Sequence, residues 1–125
     1  MEFAAISMSI GLVVISGILA ILAKSITRGE LPPNAEVGFR TKATKASAEA
    51  WYAGHDAVLP YLRAVWPIGL GLAAITLVGG FLASADWVVA ALGGAAYLVV
   101  IALLMAATVT ANRAARAAHT ASQNE

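Results

Sequence analysis

The sequence LPPNAEVGFRTKATKASAEAWYAGH, residues 31–55, separates one long apolar run of this chain from the next. It holds two adjacent prolines, a Gly-Phe-Arg-Thr segment and a Trp/His pair four residues apart, whereas Ala, Val, Ile and Leu dominate on either side. The chain has 125 residues, 60% hydrophobic and 12% charged, against roughly 45–50% and 25% in soluble domains. A soluble domain of this size cannot bury so much apolar surface, so the composition indicates an integral membrane protein.

Three uncharged runs are long enough to cross a bilayer, at about 3–23, 64–85 and 87–111. At about 1.5 Å per residue, some 20 residues span the roughly 30 Å hydrocarbon core. The predicted fold is therefore an all-α membrane protein, a single membrane domain over 1–125 with three transmembrane helices. Only a few residues around Asp86 separate the last two runs, which predicts an antiparallel hairpin. Glu2 precedes the first run and Lys24 follows it at once, which favours a retained helix over a cleaved signal peptide.

The basic residues predict the orientation of the chain. All eight Lys and Arg lie in the polar segment 24–63 or in the tail 112–125, whereas Glu2 and Asp86 lie at the other ends of the spans. Basic residues concentrate on the cytoplasmic side of a membrane. We therefore expect the N-terminus outside, and the 24–63 loop and the C-terminal tail in the cytoplasm.

Several classes of function find no support in these residues. A net charge of +1 does not provide the basic face that nucleic-acid binding requires, and the spans carry no ionisable residue of the kind that marks a pump. There is no cysteine, no Gly-x-Ser-x-Gly elbow and no His-Glu-x-x-His motif, and the two histidines, His55 and His119, are far apart in sequence. We predict no catalytic residue and no metal site, and hence a protein that is not an enzyme.

The loop itself is predicted to be structured. Pro32 and Pro33 each fix φ and force the preceding residue into an extended conformation, so the first helix is expected to end before them, with Gly29 as its C′ residue. Asn34 is suited to an Asx-turn. In the apolar hook Val-Gly-Phe at 37–39, Gly38 permits a positive φ or the close approach of another group.

A change of periodicity after the hook predicts an amphipathic helix over about 44–59, with Thr44 or Ser47 as its N-cap. Its buried strip would contain Trp51, His55, Val58 and Leu62, and its polar face Lys45, Glu49, Asp56 and Arg63. We expect this helix either to lie in the cytoplasmic membrane interface or to fold against the ends of the spans, and to end or kink at Pro60.

The loop residues admit two interpretations each. Arg40 is either an anchor to lipid phosphate or a residue that holds the loop or binds a ligand carboxylate. His55 is either a packed histidine bonded to the loop or a ligand-contacting or pH-sensing group, and Trp51 is more often an interfacial anchor than a recognition residue. Asn34 and Gly38 are expected to shape the backbone. The residues that we single out as ligand-binding or loop-structuring are Asn34, Gly38, Arg40, Thr41, Trp51 and His55.

The same stretch resembles the SdpI family of small bacterial membrane proteins. The resemblance covers about residues 10–108 and rests on Pro-Asn at 33–34, Val-Gly-Phe-Arg-Thr at 37–41, Thr44, Ser47, Trp51 and His55, followed by two spans. It implies a plasma-membrane protein with no cofactor and, from the type member, two roles: immunity against a secreted peptide toxin and sequestration of a cytosolic repressor. Two departures limit the transfer. The type member has additional spans before this module, and the position after Arg-Thr is often proline in the family, where this chain has Lys42.

The partners expected on this basis are the lipid bilayer, a peptide toxin, and a cytosolic repressor or another membrane protein. Small residues four apart, such as Ser7 and Gly11 or Gly69 and Ala73, fit either packing within the bundle or a homo-oligomer. The alternative function is a holin-like pore or a small accessory membrane protein. A holin needs only a solvated connector between its spans, whereas this loop is predicted to be structured. The sequence therefore favours toxin immunity over pore formation.

Overall fold

The computed structural model describes residues 2–33 and 35–125, and within them the secondary structure is three helices without a strand. These are α1 (Glu2–Thr27), α2 (Ala48–Leu82) and α3 (Asp86–Gln123). By length and composition each of the three can cross a membrane. The prediction of an all-helical chain with three apolar helices is therefore confirmed.

The chain divides into two compact units, and each helix contributes one segment to each unit. The bundle unit comprises the chain up to Ala20 together with Arg63–Leu103, and the loop unit comprises Ile21–Leu62 together with Leu104–Glu125. The bundle unit holds most of the uncharged sequence. The loop unit holds seven of the eight basic residues and the whole stretch 31–55.

The end of α1 is a Schellman motif centred on Gly29. Gly29 has φ +70°, its N–H donates to the carbonyl of Ile26 at 3.1 Å, and the N–H of Glu30 donates to the carbonyl of Ser25 at 2.9 Å. These bonds satisfy carbonyls that the helix end leaves without partners. The predicted C′ role of Gly29 is confirmed.

Helix α2 corrects the prediction of a separate interfacial helix at 44–59. Residues 48–82 form one helix of 35 residues, begun by Ser47, whose hydroxyl accepts the N–H of Ala50 at 3.1 Å. Pro60 does not end the helix, although it has no N–H to donate to the carbonyl of Asp56. Both residues are exposed, so water can reach that carbonyl.

The physical reason for this continuity is an unbroken buried stripe along α2. Trp51, His55, Val58, Leu62 and Val65 are at most 2% exposed and follow each other at spacings of four and three residues, as one helix face requires. Because the stripe keeps its register across Pro60, packing outweighs the loss of one backbone hydrogen bond. At about 1.5 Å per residue α2 is roughly 52 Å long, and its uncharged membrane-spanning part begins at Ala64.

Helix α3 extends beyond the predicted span of 87–111 and includes most of the tail 112–125. It continues to Gln123, and Ala107, Ala111 and Ala115, four residues apart, are fully buried. An Ala-rich segment has a high helix propensity, and the buried alanine face gives it a packing partner in the loop unit. The tail is therefore part of the folded protein as far as this helix extends.

The bundle unit packs through small residues that allow helix backbones to approach closely. A Cβ added to Gly69 would collide with Ser16, and one added to Gly80 would collide with Ala5. Ser9 donates a hydrogen bond to the carbonyl of Ala73 at 2.9 Å. Close contact of this kind holds membrane helices together where no hydrophobic drive exists between them.

The two helices joined by residues 83–85 pack as a hairpin within the bundle unit. A Cβ on Gly80 of α2 would lie 3.6 Å from Val89 Cγ2 of α3, and one on Gly79 would collide with Leu92. The antiparallel hairpin predicted from the short connection is confirmed. Ala90 and Gly94 are also small residues four apart, but they do not pack in this way, because Ala90 is exposed and a Cβ on Gly94 would meet nothing within 4 Å.

Candidate functional site

Trp51 is the core of the loop unit. Its side chain is 1% exposed, and its indole N–H donates to the carbonyl of Leu31 at 3.0 Å. Leu31, directly before the two prolines, is itself buried at 6% exposure. The indole thus ties the beginning of the loop to the first turn of α2, and the expectation that Trp51 is an interfacial anchor is wrong for this residue.

His55, one turn further along α2, holds the middle of the loop. Its Nδ1 lies 2.8 Å from the carbonyl of Trp51, and its Nε2 accepts the backbone N–H of Phe39 at 2.9 Å. A carbonyl only accepts and an N–H only donates. The two partners together therefore select the neutral imidazole with its proton on Nδ1.

Burial keeps this imidazole neutral. His55 is 2% exposed and lies in the charged part of α2 that precedes the membrane-spanning segment. Loss of hydration lowers the pKa of His55 below its ordinary value of 6.5, although the hydrogen bond to the Trp51 carbonyl and the charge of Asp56 both act to raise it. Desolvation penalises the charged form of any ionisable group, and here it is the largest effect.

Aromatic contacts complete the surroundings of His55. Its ring centroid lies 4.2 Å from that of Trp51, with a tilt of 34°, and 6.0 Å from the Phe39 ring in an edge-on arrangement. The imidazole is therefore enclosed by the indole on its own helix and by the hook 37–39.

Gly38 makes this enclosure possible. Its φ is +115°, a conformation that residues with a Cβ rarely adopt. A Cβ at this position would lie 2.6 Å from His55 Nε2 and 3.3 Å from Leu31 Cδ2. The predicted requirement for a positive φ or a close approach is confirmed, and the structure shows that Gly38 meets both.

Thr41 and Thr44 fix the last part of the loop through reciprocal bonds. The N–H of Thr41 donates to the Thr44 hydroxyl at 3.0 Å, and the N–H of Thr44 donates to the Thr41 hydroxyl at 3.2 Å. The Thr44 hydroxyl in turn donates to the carbonyl of Phe39. Thr44 is fully buried, so it is a loop-structuring residue and not the helix N-cap, a role that Ser47 takes.

Thr41 also connects the loop to α3. Its hydroxyl donates to the side-chain oxygen of Asn112 at 2.6 Å. Nearby, the hydroxyl of Thr110 donates to the Tyr61 hydroxyl at 3.3 Å, which joins α2 to α3. The loop is thereby held on both helices by neutral polar groups.

Arg40 has a different position from the other loop residues. Its side chain is exposed, and within the described part of the chain it has neither a hydrogen bond nor an ion pair with another residue. The interpretation in which Arg40 holds the loop together is thus not what residues 2–33 and 35–125 show. Val37, on the same loop, is 63% exposed, and Asn34 lies outside the described residues.

The arrangement suits binding and structural support. Both ring nitrogens of His55 are engaged by the backbone, which leaves neither for a proton transfer to a substrate or for a metal. Among the described residues no group of three or more His, Cys, Asp or Glu side chains is placed to hold a metal ion. Around the hook, the exposed side chains of the loop include the guanidinium of Arg40, the apolar Val37 and the charged Glu36, Lys42 and Lys45.

Three residues that contribute to the packing of the loop were not identified from the sequence. Asn112 began the predicted tail and gave no local signal. Gly54, where an added Cβ would lie 3.1 Å from the Ala111 carbonyl oxygen of α3, was an unremarked glycine in a helical segment. Thr44 was considered only as an N-cap, although a Thr-x-x-Thr spacing at 41–44 allows the reciprocal side-chain to backbone bonds that compete with helix formation. Of these, only the threonine pair had a signal in the sequence.

One of three comparisons with known proteins gives a match. A search of curated proteins and a search of solved structures gave no significant match. The profile of the SdpI/YfhL protein family matches residues 30–111, a range that contains the loop, α2 and Thr110 of α3 and ends one residue before Asn112. More than half of the chain is covered, including Leu31, Phe39, Thr41, Trp51 and His55 of the loop contacts described above, and the chain therefore belongs to the SdpI/YfhL protein family.

Proposed function

We propose that this protein confers resistance to a membrane-active peptide toxin, which it binds at the membrane through the exposed face of its loop unit. Family membership supports a role of the SdpI type, and the family is not known as an enzyme family. The observation that carries the proposal is the fixation of Leu31, Phe39 and Thr41 by side chains of α2 and α3. A holin-like pore needs no such ordered connector.

The binding face is defined by the alternation of side chains along the loop. Phe39 and Thr41 are partly buried and hydrogen-bonded, whereas Val37 and Arg40 point to the exterior of the loop unit. Because the backbone between them is already ordered, a ligand would bind with little entropic cost for ordering the loop. The surface is thus preorganised before any partner arrives.

The chemistry of this face indicates the class of ligand. A guanidinium presents several N–H donors in a fixed fork that matches a carboxylate, and Val37 offers an adjacent apolar contact. A peptide that pairs an acidic group or its C-terminal carboxylate with an apolar side chain has the required complementarity. An amphipathic toxin that inserts through the bilayer and reaches its cytoplasmic surface, where we expect the loop, fits this description.

The test is protection of a sensitive bacterial strain that expresses the chain and is challenged with a panel of amphipathic peptide toxins. We expect the wild-type chain to raise the inhibitory concentration of at least one peptide, and Arg40→Ala combined with Val37→Ser to abolish the increase at an unchanged protein level. Lys45→Ala, which removes another exposed cation of the loop unit, is the matched control and should retain protection. Full protection by the double variant at normal abundance would refute the role of this face.

A second measurement separates this function from pore formation. Induced expression without toxin should leave membrane potential and growth unchanged, because a resistance protein has no lytic activity of its own. Collapse of the potential followed by lysis would instead favour the holin-like alternative.

A further inference from the structure

The hydrogen bonds of His55 depend on its protonation state. Neutral imidazole donates from Nδ1 to the Trp51 carbonyl and accepts the Phe39 N–H at Nε2. A second proton would occupy Nε2 and face the Phe39 N–H, so that two donors would meet and the bond would be lost. The first bond is unaffected, because Nδ1 carries a proton in both forms.

We propose that proton uptake by His55 is a switch that releases the hook, residues 37–39, from α2. The charged imidazole keeps its bond to the Trp51 carbonyl and needs a new acceptor for Nε2–H. Water becomes that acceptor only when the hook moves away, because His55 is 2% exposed with the hook in place.

The packing around His55 does not allow the charged ring to be accommodated by a movement smaller than that of the hook. The position of a Cβ on Gly38 is 2.6 Å from Nε2, so the loop backbone lies directly against the ring. Rotating the ring by half a turn would exchange its nitrogens for carbons and break both hydrogen bonds. The ring is also stacked near Trp51 at a centroid distance of 4.2 Å. Movement of the hook is the response that preserves the most contacts.

The charged groups around His55 affect the switch unequally. On α2, Asp56 is adjacent and its charge favours the protonated form. On the loop, Glu36 and Arg40 flank the hook and are exposed. In the rest of the loop unit the exposed cations are Lys24 at the end of α1, Arg28 directly after it, and Arg113 and Arg116 on α3, which also carries the half-buried His119. The side chain that α3 presents to the loop is the neutral Asn112.

The extent of the movement is limited on the C-terminal side of the hook. Thr41 and Thr44 bond to each other and Thr41 bonds to Asn112, and none of these groups titrates near neutral pH. Gly38, with its φ of +115°, provides the flexible position on the other side of Phe39. A short segment with one glycine is therefore free to swing while the rest of the loop stays.

The direction of the pH dependence follows from linkage. The closed state has a lowered pKa for His55, whereas the open state exposes the ring and restores a pKa near its ordinary value of 6.5. Above pH 6.5 the ring is neutral in both states and the hook stays closed. Between 6.5 and the lowered pKa only the open state takes up the proton, so the opening equilibrium constant should rise about tenfold per pH unit as the pH falls.

The experiment uses the full chain in detergent micelles or nanodiscs. Nitrogen-15 NMR of the imidazole reports the charge of His55, in a His119→Gln background that removes the other histidine. Hydrogen exchange reports the protection factor of the Phe39 amide. We expect this protection to fall about tenfold per pH unit below pH 6.5, whereas the Glu30 amide, bonded to the Ser25 carbonyl, keeps its protection.

A neutral variant provides the decisive control. His55→Gln carries no charge at any pH, so the protection of Phe39 should become independent of pH if the variant folds. Persistence of the pH dependence in a folded His55→Gln chain would overturn the proposal. So would a constant Phe39 protection while NMR shows His55 charging, or a His55 that stays neutral until the chain unfolds, and neither of these requires the variant.

Discussion

Gly38, Trp51 and His55 depend on one another in a way that none of them shows alone. Trp51 orients the loop entry through Leu31, His55 binds the Phe39 N–H, and Gly38 permits the backbone to reach the ring. The conformational demand on Gly38 was predictable, because a glycine between two apolar residues in a structured loop signals a positive φ or a close approach. The burial of Trp51 was predicted with its strip of α2 and is confirmed, but its contact with the loop was not predictable, since an apolar helix strip has the same pattern whether it faces lipid or protein.

Replacement of Gly38 by Ala should destabilise the loop unit more than the same replacement at Gly29. Both residues have positive φ, so both variants carry backbone strain of about 1–3 kcal/mol. Only Gly38→Ala also forces a Cβ against His55 Nε2, with loss of a hydrogen bond worth about 1 kcal/mol. Around Gly29 there is nothing within 4 Å.

The comparison is made by thermal unfolding of the full chain in detergent micelles, followed by circular dichroism. Gly94→Ala, at an open helical position, serves as the control for glycine replacement in general and should not lower the midpoint. Equal midpoints for Gly38→Ala and Gly29→Ala would show that the contact with His55 adds nothing.

The side-chain network shows where sequence reasoning reaches its limit at single residues. His55 was expected to be a packed histidine bonded to the loop, and the bond from Phe39 confirms it. The bond from Thr41 to Asn112 joins residues 71 positions apart, and no pattern in one sequence links them. Arg40 belongs to the same motif, yet within the described residues its side chain has no partner. Membership in the motif therefore did not distinguish residues that hold the loop from residues that are exposed on it.

Among the elements, α2 shows why a local signal was overruled. A proline in a helical pattern predicts a break or kink, but Trp51, His55, Val58, Leu62 and Val65 continue on one face through Pro60. The sequence analysis recognised the stripe as far as Leu62. Val65 continues it in the same register, and this continuation is what indicates a single helix. Tertiary packing along a whole face outweighs a penalty of about 3 kcal/mol at one position.

Gly54 is a point of close approach between α2 and α3 in the loop unit. A Cβ there would lie 3.0 Å from Thr44 Cγ2 and 3.1 Å from the carbonyl oxygen of Ala111. Because a helix carbonyl cannot move without the helix, Gly54→Ala should destabilise the loop unit by about 1–3 kcal/mol, the usual effect of overpacking.

Gly71→Ala is the matched control for this prediction, since it lies on the same helix with nothing within 4 Å. Alanine there should be neutral or stabilise the helix by up to about 1 kcal/mol. Urea midpoints of the two variants in the same detergent decide the question. A Gly54→Ala chain as stable as Gly71→Ala would mean that α3 is not held against α2 at this contact.

For the whole molecule, the three helices were predictable because crossing a membrane demands about 20 apolar residues in a row, and the runs 3–23, 64–85 and 87–111 meet that demand. The division into a bundle unit and a loop unit was not predictable in the same way. It depends on how the polar ends of α2 and α3 pack on the loop, through contacts such as Gly54 against Ala111 and Thr41 against Asn112. A hydropathy profile identifies the spans but contains no information about such specific polar and small-residue contacts.

The orientation of the chain in the membrane is a prediction at this largest scale. The distribution of all eight basic residues on 24–63 and 112–125 favours a cytoplasmic loop and tail, with Ser84 on the outer side. The chain contains no cysteine, so single cysteines at exposed positions report accessibility without a background. We expect a membrane-impermeant maleimide to label Ser84→Cys in intact spheroplasts, and to label Lys42→Cys and Gln123→Cys only after permeabilisation. The unmodified chain is the negative control, and labelling of Lys42→Cys in intact spheroplasts would reverse the orientation and place the loop unit, with its exposed Val37 and Arg40, outside the cell.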